Sequence, residues 1–313
     1  MNFALTDVIF AYKHNDTGEK MLVNFLRGSW VALVTPFLED GQIDFNAFEK
    51  LIAMQTAAKT DGLLICGTTG ESVTLSLDEK KALMSSAKKL TGGNIPLMFG
   101  TGGNNTAAVV ELTARAAELG ADAVLVVTPY YNKPPQDGLK LHYKAVAAAT
   151  KLPVLLYNVP GRTGCNLLPD TVIELAAIEN IVAVKEASGN LDQIMEIIRR
   201  APEGFVLFSG DDGLNLPIMA CGGVGTISVT ANVAPVMMKK FNDAALSGNW
   251  QLAKELHYRL LELHRGLFVE ANPLPAKAAL ANAGLIEDFT RLPLCRPSTK
   301  ARELMIKLTT GLE

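Results

Sequence analysis

Charge is scarce in this 313-residue chain. Asp, Glu, Lys and Arg make up 19% of it, and 29 basic against 32 acidic residues leave a net charge of −3. A nucleic-acid-binding face needs a basic excess, which is missing. Cysteine is scarce as well: Cys66, Cys165, Cys221 and Cys295 stand far apart with no CxxC pair. That argues against a disulfide framework or a zinc site and for four buried free thiols. No apolar run approaches the ~18–20 residues of a membrane span. Residues 1–20 mix Asp7, Lys13, Asp16, Glu19 and Lys20 with apolar positions, and lack the basic start, apolar middle and cleavage site of a secretory signal. They read as a flexible extension ahead of globular sequence that opens at Met21. The chain reads as soluble and cytoplasmic, with no nucleic-acid and no membrane partner.

Apolar residues are plentiful, at 49%, too many for a disordered chain and enough for a large core. They fall into short β-branched runs at 29–35, 62–68, 95–100, 122–128, 152–158, 181–186, 205–209 and 224–229. Runs this short and uniformly apolar suit parallel strands covered on both faces. Between them lie segments of helical period: 44–59, 77–90, 105–119, 136–150, 169–178, 191–200, 213–221 and 233–246. The helix over 77–90 opens with Asp78 and Glu79 and closes with Lys88 and Lys89, matching the helix dipole, and Gly120 stands where a C-cap glycine belongs. Eight strand–helix units predict an α/β fold, a (β/α)8 TIM barrel over 21–248. The alternative is a doubly wound sheet, but no GxGxxG follows the first run. Helical patterns at 249–265, 273–283 and 297–309 predict a C-terminal helical region over 249–313, with no Pro-, Gly- or Ser-rich linker before it.

Barrel active sites gather at the C-terminal ends of the strands. In this chain those ends are polar. Lys185 follows four apolar residues of the sixth strand. Burial disfavours its ammonium form, and a partly neutral amine can attack a ketone to form a Schiff base. The competing reading is a lysine paired with Glu186 or snorkelling to the rim. Thr68, Tyr131 and Tyr157 place hydroxyls at neighbouring strand ends, suited to proton relay or to bonding loop backbone. Thr69 and Gly70 either offer N–H groups to a carboxylate or form a tight turn. Arg162, in a loop flanked by glycines, suits bidentate carboxylate binding or is an ordinary surface arginine. Asp211 and Asp212 read as helix caps rather than metal ligands, and no metal site is expected. The glycine-rich stretch 100–105 is not a Walker loop. His257 and His264 share a helix face as structural or solvated residues, and neither His14 nor His142 has triad partners.

The segments GTTGES (67–72), TPYYNKP (128–134), YNVPGRTG (157–164), VKEASGN around Lys185, FSGDD (208–212) and GTISVTAN (225–232) together resemble the dihydrodipicolinate synthase family. That family belongs to a wider group of class I pyruvate-dependent aldolase barrels, which includes N-acetylneuraminate lyase and keto-deoxy sugar acid aldolases. The resemblance runs from about Leu26 into the C-terminal helices. It implies a Schiff-base lyase that condenses pyruvate with L-aspartate-4-semialdehyde in lysine and diaminopimelate biosynthesis. The covalent imine on Lys185 stands in for any cofactor. Tyr157, Thr68 and Tyr131 would relay protons, with Tyr131 acting across a subunit interface of a homotetramer, a dimer of dimers. Thr69 would hold the pyruvate carboxylate, Arg162 the semialdehyde carboxylate, and Gly210 and Ile227 would line the pocket. Members inhibited by lysine bind it at positions matching Ser72, Leu77, Lys80, Asn104, Ala108 and Tyr130. Ser72, Asn104 and Tyr130 fit that candidate allosteric site. Leu77, Lys80 and Ala108 replace two histidines and a glutamate, which predicts weak or no lysine inhibition. Another pyruvate aldolase and a non-catalytic homologue are the rival readings.

Overall fold

The computed structural model describes residues 24–311; the extension read over 1–20 lies outside them. Eight parallel strands, β1 (Gly28–Ala32), β2 (Gly62–Ile65), β3 (Leu97–Gly100), β4 (Ala123–Val127), β5 (Val154–Asn158), β6 (Ile181–Glu186), β7 (Val206–Ser209) and β8 (Gly225–Ser228), pair in sequence order. β8 returns to β1 through Gly28↔Gly225 and Trp30↔Ile227, so the barrel closes and no edge is left exposed. The helices are α1 (Phe45–Ala57), α2 (Leu77–Thr91), α3 (Thr106–Arg115), α4 (Gln136–Ala148), α5 (Pro160–Thr163), α6 (Pro169–Ala176), α7 (Leu191–Arg200), α8 (Asn215–Ala220), α9 (Pro235–Leu246), α10 (Trp250–Gly266), α11 (Leu274–Asn282) and α12 (Thr299–Thr309).

Local chemistry explains most of the boundaries. Ser76 and Glu79 form a reciprocal capping box that starts α2, and Gly92 ends it in a left-handed conformation. The apolar run read as strand 29–35 outlasts β1, because Leu33 and Val34 are buried loop residues beyond the ladder. α3 stops at Arg115, ahead of Gly120, which takes φ +85° in the turn that follows instead of capping the helix. The helix expected from 213 begins at Asn215: Asp211 accepts from the Gly213 N–H at 3.1 Å and caps a 3₁₀ turn over Asp212–Leu214. The thiols are unpaired, but only Cys66 is buried; Cys165 and Cys221 are half-buried and Cys295 is exposed.

Two cores result from strand alternation. One lies between the barrel and its helices and takes in residues of the C-terminal helices, among them Leu260, Leu263, Ala276 and Met305. The other fills the barrel, with Trp30, Leu64, Met98, Leu155, Phe208 and Ile227. Trp30 needs Gly62 beside it: a Cβ there would sit 2.4 Å from the indole ring.

β6 departs from simple alternation. Val154 pairs with Ile181 but Leu155 with Ala183, a one-residue register shift at Val182. Ile181 and Val184 face the helices, whereas Val182 and Ala183 both belong to the barrel interior. Beyond that bulge the phase is inverted, so Lys185 follows Ala183 inward and Glu186 follows Val184 outward. Without the extra residue, alternation counted from Ile181 would send Lys185 into the helix layer.

Candidate active site

At the C-terminal mouth of the barrel a cavity of about 380 Å³ is walled by Thr68, Thr69, Tyr157, Arg162, Lys185 and Gly210. Six of the residues singled out from the sequence thus converge on one space. Lys185 is 5% exposed, and its Nζ lies 4.3 Å from the centre of the Tyr157 ring on the paired strand. Burial is the main influence on the amine; the carboxylate of Asp212 opposes it and the guanidinium of Arg162 assists, leaving the pKa at about 8. Near neutral pH a usable fraction of this lysine is therefore a free amine. Gly210 makes room for it: a Cβ there would come within 2.8 Å of the Lys185 Cε.

The pairing of Lys185 with Glu186 does not occur. Glu186 points away from the cavity, fully buried. Its carboxylate accepts from Asn158 Nδ2 at 3.1 Å, Gln193 Nε2 at 3.1 Å and the Ser188 N–H at 2.7 Å. Burial raises its pKa against those hydrogen bonds. The lysine is left without a tight ion pair that would hold it protonated.

Tyr157 is buried, which raises its phenol pKa, while Arg162 and the nearby Thr68 hydroxyl work in the opposite direction. Thr69 is 2% exposed and its hydroxyl accepts from Asn272 Nδ2 at 2.9 Å. The neighbouring Gly70 N–H is spent on the Gly67 carbonyl, and a 3₁₀ turn over Ser72–Thr74 precedes α2, so no helix N-terminus faces the cavity there. Arg162 sits on α5 and makes no ion pair with any described carboxylate.

Ile227, Tyr131 and the allosteric candidates Ser72, Asn104 and Tyr130 do not line this cavity. Ile227 is packed in the barrel interior, and Val229, two residues further along, reaches the cavity wall instead. Tyr131 is 88% exposed with φ +74° and lies outside the cavity of its own chain. Tyr130, on the same loop, is absent from the wall too; Asn132 beside it donates to the Asn104 carbonyl at 2.9 Å, tying that loop to the one before α3. Leu77, Lys80 and Ala108 do meet, in a separate cleft of about 200 Å³ with Glu111, Leu112 and Arg115, whereas Ser72, Asn104 and Tyr130 do not line it.

Sequence reasoning missed the C-terminal contribution. His264, Arg265, Phe268 and Asn272 complete the cavity wall. His264 is buried, its Nδ1 2.8 Å from Thr230 Oγ1, and burial lowers its pKa. Asp212, read as a cap, also accepts from the Val229 and Thr230 N–H groups at 2.9 and 2.8 Å and so ties β7 to the end of β8. The Asn272–Pro273 dipeptide was the available signal for Asn272, but nothing local linked it to Thr69. Among the described residues no three His, Cys, Asp or Glu side chains are grouped as metal ligands.

The chain is similar to known proteins over nearly all of this architecture. It is 48% identical to a 4-hydroxy-tetrahydrodipicolinate synthase of Nitrosomonas europaea, over 90% of this chain and 96% of that protein. The dihydrodipicolinate synthase structure from Aquifex aeolicus superposes with a TM-score of 0.88 at 46% identity, covering 90% of this chain and 96% of that one. The chloride-inhibited enzyme from Acinetobacter baumannii, complexed with pyruvate, gives 0.88 at 44%, covering 90% and 97%. The family model for the dihydrodipicolinate synthetase family matches residues 25–310. With a closed eight-stranded barrel and a buried lysine at its mouth, the chain belongs to the dihydrodipicolinate synthetase family.

Proposed function

We propose that this protein is a 4-hydroxy-tetrahydrodipicolinate synthase, a Schiff-base lyase that condenses pyruvate with L-aspartate-4-semialdehyde at the start of lysine and diaminopimelate biosynthesis. The observation that carries this reading is Lys185: a buried amine with a pKa of about 8, without an ion pair, facing an open cavity. Neutral Lys185 attacks the ketone carbon of pyruvate; the C–N bond forms and the carbonyl oxygen leaves as water. The iminium then draws electrons from the methyl group, which loses a proton to give an enamine. Because the iminium is the electron sink, the chemistry calls for no external cofactor. The enamine carbon attacks the aldehyde carbon of the semialdehyde. Closure by the substrate amine forms the ring C–N bond, breaks the bond to Lys185 and restores the free lysine.

The geometry suits the remaining residues to stated tasks. Thr69, which shares the cavity wall with the lysine, holds the pyruvate carboxylate. Tyr157 and Thr68, which share the cavity wall, pass protons without either carrying a full charge for long. Arg162, without a protein carboxylate, takes that of the semialdehyde. Gly210 keeps the space beside the imine clear. Tyr131, exposed in its own chain, completes the relay in a second copy, in a homotetramer built as a dimer of dimers. A pathway enzyme with four unpaired thiols suits the cytoplasm.

Intact mass after pyruvate and borohydride, followed by peptide mapping, tests this. Reduction should fix a pyruvyl adduct on Lys185, and aspartate semialdehyde should turn over while sugar-derived aldehydes do not. Folded protein without an adduct would sink the nucleophile assignment.

A further inference from the structure

The loop between β2 and α2 carries Thr68 and Thr69, yet it is not held by the barrel alone. Glu71, next but one to Thr69, is buried with a left-handed φ of +53°, an unfavourable conformation for a side chain of this size. Its Oε1 lies 2.5 Å from the Nζ of Lys277 on α11, and both side chains are sealed from solvent. No hydrogen-bond donor reaches that oxygen otherwise. The other carboxylate oxygen accepts from the Arg291 N–H at 3.1 Å. Lys277 donates in addition to the Phe289 carbonyl at 2.8 Å and lies 4.4 Å above the Phe37 ring, which Arg291 also covers. On the other side of the loop, Thr35 donates to the Gly70 carbonyl at 2.7 Å.

A buried ion pair is a poor device for stability: well-packed apolar residues of the same size generally do as well. What it does supply is one fixed distance and direction between two segments remote in sequence. Here those segments are the C-terminal helical layer and the loop that carries the substrate-facing hydroxyls.

We propose that the Lys277–Glu71 pair is a positioning strut, through which the C-terminal helices set the place of Thr69 for the pyruvate carboxylate. Neither residue lines the cavity, so both act through the loop. The proposal rests on the reading that pyruvate binds beside Lys185.

The test uses the full chain with Glu71→Gln and Lys277→Met combined, which removes both charges and keeps the volumes. The double variant should melt close to the parent. Its pyruvate KM should rise by about tenfold or more, with kcat at saturating pyruvate and the semialdehyde KM changed far less. A folded double variant with parental pyruvate KM would overturn the strut, as would kinetic losses that merely follow the loss of melting temperature. Should that variant not fold, Glu71→Asp keeps both charges and shortens the link by one methylene. A raised pyruvate KM supports the proposal and an unchanged one rejects it. Hydrogen exchange reads the strut without substrate: amides of 68–72 should exchange faster in the variant while those of α11 hold, and equal exchange rejects it. A parent that forms no pyruvyl adduct would count against the reaction instead, leaving the exchange result to decide the strut.

Discussion

Two lysines of this protein are buried almost equally, and they serve opposite ends. Lys185 in β6 and Lys277 in α11 are 5% and 0% exposed, and burial brings both amines down to about 8. Lys277 is met at 2.5 Å by a carboxylate and by a backbone carbonyl, and its side chain is sealed from solvent. Lys185 has an aromatic face at 4.3 Å, a glycine where a side chain would crowd it, and an open cavity in front. A depressed pKa alone therefore does not mark a nucleophile. What separates the two is a path for the electrophile and the lack of a carboxylate pressed against the ammonium.

The largest expected effect breaks the comparison directly. Lys185→Met should abolish the borohydride-trapped pyruvyl adduct and lower kcat/KM by about 10³-fold or more, without a large change in melting temperature. Lys277→Met, in its folded fraction, should still form the adduct at Lys185 while losing stability, because Glu71 is left charged and buried. An adduct mapped to Lys277 would reverse the assignment.

A second change sharpens it. Arg162 lowers the Lys185 pKa and stands free to bind a carboxylate. Adduct formation requires the neutral amine, so its rate at limiting pyruvate should fall about tenfold per pH unit below about 8 and level off above it. Arg162→Leu should raise the semialdehyde KM and move that midpoint to higher pH, since a charge opposing the ammonium is gone. A midpoint that stays or falls would show that the guanidinium does not face the amine.

The smallest expected effect concerns the cleft of Leu77, Lys80 and Ala108. Glu111, a carboxylate there, is taken by Arg115 at 2.9 Å, and Lys80 repels a further ammonium. Free lysine should not reach half inhibition below about 1 mM, measured as initial rates at subsaturating pyruvate. Inhibition in the micromolar range would mean that Ser72, Asn104 and Tyr130 bind it unaided.

Much of this molecule was legible in the chain. Strands wrapped on both faces must be short and apolar, and helices of this length must carry one apolar stripe, so eight alternating units imposed the barrel. Polar residues at strand ends pointed to Lys185, Tyr157, Thr68, Thr69 and Arg162, and the family resemblance added Gly210, all now around one cavity. Ile227, expected from the resemblance, and Val229 show what the sequence left open. Both lie on one apolar run, and only the height of the packed interior decides which of them meets the cavity.

The sequence by itself determined the layers, their order and the chemistry at the rim, because those follow from periodicity and side-chain type. Tertiary structure decided which way Lys185 faces. In Ile-Val-Ala-Val ahead of it every residue is apolar, so the phase of the strand is invisible until pairing with β5 places the extra residue at Val182. It also decided that Asn272 and His264 reach the cavity wall and that Lys277 meets Glu71 behind the loop of Thr68 and Thr69. The Asn272–Thr69 and Lys277–Glu71 contacts join positions some two hundred residues apart in the chain, and no local pattern encodes a distance that only the closed fold creates.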